Sequence, residues 1–173
     1  MKIKAIGLIF SLVLANLASA VNAVEPVKES SQARELAFLA APIKNAADLQ
    51  SYLEMTQGRY SPLNKLPKDD RDRFLQSITW NERGVTGFSA VSFQNSSATE
   101  AFQILALFGI QHVTPLVRPA VRSLTDKVIL SQKEDGGATT LGEGGPEKDY
   151  EGYRCSARAT CSSSPGDVCT SNC

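Results

Sequence analysis

All four cysteines of this chain, Cys155, Cys161, Cys169 and Cys173, lie within its last nineteen residues. Any cross-link between them is local to the C-terminus, so the preceding body must fold on apolar burial alone. Five, seven and three residues separate them, without the paired C-x-x-C ligands of common zinc sites. The only histidine, His112, is distant in sequence. No metal site is expected, and an even count in an oxidising compartment reads as two disulfides. Three pairings are open.

The other end of the chain points to that compartment. Met1-Lys2-Ile3-Lys4 is a short basic start, residues 5–17 are an apolar run, and Ala18-Ser19-Ala20 supplies a small-residue exit. These are the three parts of a secretory signal peptide, expected over residues 1–20, with Val21-Asn22-Ala23 as a second exit. The mature chain is then expected to begin at Val21 or Val24. An uncleaved anchor is the competing reading, but the run falls short of the ~20 residues that cross a bilayer comfortably. The protein is therefore read as secreted or periplasmic, with no integral membrane segment after cleavage. Loss of Lys2 and Lys4 leaves 16 basic against 18 acidic residues, a formal charge of −2. That balance offers no electrostatic attraction for nucleic acid or an anionic membrane. About 150 residues remain, enough for one domain.

Helix signals concentrate between residues 32 and 131. Residues 32–40 predict a short helix ended by Pro42, and Asn45 is placed to cap a second one carrying Leu49, Tyr52 and Leu53. A third should begin near Lys68. It sets Asp69, Asp70 and Asp72 in its first turns, where the helix dipole favours carboxylates, and Phe74, Leu75 and Ile78 on a buried stripe. The charge cluster there is a solvated helix start rather than a metal site. Ser97 and Glu100 form a capping box ahead of a segment apolar nearly all round, with Gly109 as its left-handed stop. This is the expected central helix. Pro119 can open a last helix with Val121, Leu124 and Val128 on its apolar face, ending near Gln132. Residues 84–93 alternate without a clean apolar face, so a short strand and a core-lining loop stand equal.

Beyond that span the composition shifts. Residues 132–149 contain five glycines and one large apolar residue, Leu141, the composition of a flexible linker. Residues 150–173 offer only Tyr150, Tyr153, Val168 and a few alanines for burial, with Ser164-Pro165-Gly166-Asp167 as a turn. The expected fold is mainly α: four to five helices at 32–131, the linker, and an irregular disulfide-bonded tail at 150–173.

No catalytic constellation emerges. His112 has no G-x-S-x-G serine to serve and reads as a structural or capping residue. Glu54, Glu82 and Glu100 have no context that selects a carboxylate pair, and the glycine pairs 136–137 and 144–145 do not sit between strand and helix. Asn95-Ser96-Ser97 matches a glycosylation acceptor, a pattern frequent by chance. Trp80, Phe88 and Phe93 suit a core better than a ligand groove. No catalytic or cofactor-binding residue is expected, and no cofactor. The expected function is that of an exported, non-enzymatic interaction protein whose cysteine-rich tail contacts an unknown protein or surface. The alternative is a precursor releasing a small disulfide-rich C-terminal peptide, a toxin or signal. An extracytoplasmic enzyme is the third reading.

Overall fold

The helix starts legible in sequence are the anchors of the computed structural model, which describes residues 31–57, 59–131 and 148–173. Helix α1 spans Ser31–Ala40 and α2 Ala46–Met55, the latter capped where Asn45 Oδ1 accepts from the Asp48 N–H at 2.9 Å. Helix α3 (Lys68–Ser77) follows a 3-10 turn at Pro62–Lys65. The capping box opens α4 (Ala98–Ala106): Glu100 N–H donates to Ser97 Oγ at 3.2 Å and Ser97 N–H to Glu100 Oε2 at 2.8 Å. Ala98, Ala101, Ile104 and Leu105 of α4 are buried. Gly109 then turns left-handed at φ +70°, and a Cβ there would stand 2.6 Å from Phe38 Cα. Glycine thus lets α1 lie directly on the end of the central helix.

Phe74 is the centre of the core. Its ring meets those of Phe88, Phe93 and Phe108 edge-on at 5.5, 5.0 and 5.5 Å, the favoured aromatic geometry. Those partners arrive from β2 (Gly84–Ser89), the 3-10 turn Ala90–Phe93, and the residues after α4. Phe88 and Phe93 are in the core as expected, whereas Trp80 is only partly buried at its edge.

The mainly-α expectation is wrong. Strands β1 (Thr79–Asn81), β2, β3 (Tyr150–Ala157) and β4 (Thr160–Cys169) form one antiparallel sheet in the order β1-β2-β4-β3. The C-terminal segment is therefore not an irregular tail. Gly87, Phe88 and Ser89 of β2 pair with Cys169, Val168 and Asp167 of β4. Two physical reasons hid this. Residues 84–88 are all buried, so β2 is covered on both sides and shows no two-residue alternation. The cysteines also count as apolar material: Cys169 is fully buried and Cys173 nearly so, beside a fully buried Val168. Thr170 completes the seam, its N–H donating to Thr86 O at 3.0 Å and its hydroxyl to Val85 O at 2.5 Å.

The last helix is also turned round from expectation. Helix α5 is Leu124–Ser131, beginning five residues after Pro119, and Val121, Leu124 and Val128 are exposed. What faces inward is Asp126. Its carboxylate accepts from the N–H and hydroxyl of Thr99, both at 2.7 Å, from Arg122 N–H at 2.8 Å and from Ser123 Oγ at 2.9 Å. One buried carboxylate therefore caps the first turns of α4 and α5 together. The Thr99 hydroxyl lowers its pKa most; burial opposes, and the remaining donors carry it well below the usual carboxylate range. Among the described residues no helix is long and apolar enough to cross a membrane. The expected signal peptide and most of the expected linker lie outside the described residues.

Candidate functional site: a cleft walled by a disulfide

The β3–β4 hairpin turns at Arg158-Ala159, where Ala159 adopts φ +58° and its N–H donates to Cys173 O at 2.7 Å. Cys155 and Cys161 sit directly opposite each other across this hairpin. Neither bonds to the other. The disulfides are Cys155–Cys173 and Cys161–Cys169.

That pairing bends the hairpin. An extended strand of eight residues spans roughly 26 Å, yet the Cα atoms of Cys161 and Cys169 are 6.1 Å apart. The fold-back occurs at Ser164-Pro165-Gly166-Asp167, the turn read from sequence. Gly166 is at φ +87°, Ser164 Oγ donates to Asp167 Oδ2 at 2.7 Å, and pairing with β3 jumps from Val168 to Ser163. The tip consequently lies over the sheet. A Cβ on Gly87 would meet Val168 O of the neighbouring strand at 2.9 Å, so glycine admits the close approach of β4, and Cys155 N of β3 lies 3.8 Å from the same point.

Between the bent tip and β1 lies an open cleft of about 340 Å³. Thr79, Trp80, Asn81, Glu82 and Thr86 form one wall. Cys155, Ser156, Ala157, Arg158 and Cys173 form the other. One wall comes from the middle of the chain and the other from its C-terminal segment, and the Cys155–Cys173 bridge is itself part of the lining. The Sγ atoms of Cys155, Cys173 and Cys169 all lie within 4.8 Å of one another, so the two disulfides are adjacent. Outside the cleft, Tyr150 and Tyr153 stand half-exposed on edge strand β3 with ring centroids 5.7 Å apart.

A second polar cluster fastens the hairpin to the helices. His112, in the 3-10 segment Gln111–Val117, places Nε2 3.2 Å from Asp149 Oδ2, without the alignment of a hydrogen bond. Arg34 of α1 approaches the same oxygen at 3.6 Å, and Ser171 N–H donates to Oδ1 at 2.7 Å. The side chains of Asp149 and His112 are 1% and 5% exposed, so this is an internal latch with no opening for a substrate. Burial pushes the Asp149 carboxyl up, but His112, the Ser171 N–H and Arg34 together prevail and hold it below its ordinary range.

Of the residues weighed in sequence, Cys155 and Cys173 line the cleft, Cys169 lies buried beside them bonded to Cys161, and His112 sits in the latch. Trp80 and Glu82 reach the cleft; Glu54 and Glu100 do not, and Glu100 stays in its cap. Asp149 and Asp126 were missed. Asp149 belonged to a polar glycine-rich run, and only contact with His112, 37 residues earlier, distinguishes it. Asp126 had a weak signal, Ser123 three residues ahead in the capping pattern. No protein family, no curated protein and no solved structure matches this chain.

Proposed function

We propose that the protein works outside the cytoplasm as a non-enzymatic binding protein, with the bent hairpin and its cleft as the contact surface. The observation that carries this reading is the use of the disulfides. Both act within residues 155–173, and both shape an overhang above the sheet instead of stitching distant elements of the core. Cross-links that pre-form a surface reduce the ordering entropy lost when a partner binds. Glu82 and Arg158 on opposite walls have no ion-pair partner among the described residues, leaving charge of both signs available to a ligand. Exposed tyrosines beside the cleft suit an interface, where such side chains are enriched. Two disulfides and the signal-like N-terminus favour an oxidising compartment.

Burial of Val168 and Cys169 in the sheet supports a retained hairpin over a released peptide. The test is photo-cross-linking from position 158 in cells, followed by mass spectrometry of envelope and medium. A defined adduct on the intact mature chain, lost in Trp80→Ala, is expected. A free peptide containing residues 150–173, or adducts indifferent to Trp80→Ala, would overturn the reading.

A further inference from the structure

We propose that the two disulfides form an exchange relay, entered by an external thiol through the cleft, which switches the hairpin to a second pairing. Cys155 and Cys161 are both partly buried, but only Cys155 lines the cleft, together with Cys173, so a thiol held in the cleft meets this bridge first. Cys169 is fully buried, yet its sulfur lies within 4.8 Å of both sulfurs of the first bridge. Cys161 lies across the hairpin from Cys155 in register. Entry point, buried neighbour and cross-strand return are all in place.

The chemistry closes without an oxidant or reductant. A small thiolate attacks Cys155 Sγ, forming a mixed disulfide and expelling Cys173 as thiolate. Cys173 attacks Cys169; that bond forms as Cys161–Cys169 breaks, and the electron pair leaves on Cys161. Cys161 then attacks the mixed disulfide at Cys155 and releases the original thiolate. The product pairing is Cys155–Cys161 with Cys169–Cys173. Because the constraint between Cys161 and Cys169 is what holds β4 doubled back, the second pairing frees the tip from the sheet and opens the cleft. The relay rearranges the chain's own bonds and holds whether or not a binding partner exists.

Digestion separates the two states. Cleavage after Arg154 and Arg158 and before Asp167 gives peptides 155–158, 159–166 and 167–173. The pairing described above links all three into one species. The exchanged pairing links 155–158 to 159–166 and leaves 167–173 alone with an internal bond. The oxidised protein is pulsed with substoichiometric glutathione, quenched in acid and mapped. Loss of the three-peptide species in step with gain of the two-peptide one is expected. A glutathione adduct at Cys155 with the second bridge unchanged, or no reaction, overturns the relay. Cys155→Ser gives an independent reading by leaving Cys173 as the single thiol. Under native conditions an alkylating label should then divide between Cys173 and Cys161. Label confined to Cys173 in that variant counts equally against it.

Discussion

Asp149 and Asp126 each concentrate in one carboxylate what several residues would otherwise supply. Asp149→Ala removes the carboxylate that the buried His112 ring and the Ser171 N–H face. It should cost about 2–4 kcal/mol, the range for orphaning buried polar and charged partners, read from urea unfolding. His112→Ala removes a partner rather than the hub and should cost less, on the order of 1 kcal/mol. Both aspartates are held below their ordinary pKa. Groups depressed in this way stabilise the fold fully above the unfolded value of ~4 and lose that contribution as pH falls through the folded one. Acid unfolding should therefore begin below about pH 4, and Asp126→Asn with Asp149→Asn should flatten the dependence. A pH profile of melting temperature from 2 to 7 checks it.

At the scale of elements, β4 couples the C-terminal hairpin to the middle of the chain. A chain ending after Ser131 was expected from sequence to fold as a helical domain by itself. With β2 deprived of its partner strand and Val85, Phe88 and Thr86 uncovered, it should instead lose its cooperative melt, measurable by circular dichroism. Replacing all four cysteines with serine should lower stability too, by about 2–3 kcal/mol per bridge in the chain-entropy account, where a detached tail predicts no change. These corrections show where sequence was readable. Caps and stops that act within four residues, such as Asn45, Ser97 with Glu100, and Gly109, were legible because their partners are local. The sheet was not. β2 lies between β1 and β4 and is buried on both faces, and β4 hides its apolar content in cysteines and a single valine. The α5 stripe misled for a related reason: Asp126 finds two donors on Thr99 of α4 and two in the turn that enters α5, and that outweighs burying Leu124 and Val128.

Across the whole molecule, the hairpin is held by pairing, burial and the latch, with no covalent bridge back to the helices, since both disulfides lie inside residues 155–173. A protease nick between residues 132 and 147 should leave the two fragments associated on a native gel. They should separate under denaturing, non-reducing conditions. Separation already on the native gel would argue that the hairpin is a releasable peptide after all.

The sheet order carries a consequence in time. Its interior positions are β2 and β4, and β4 is the strand nearest the C-terminus. A ribosome delivers β2 well before β4, so the sheet cannot close until β4 has been made, and a long-range pairing decides completion. Until then the helices have only part of a surface to settle on. Sheet closure is thereby a late step of folding, set by the pairing of Phe88 with Val168.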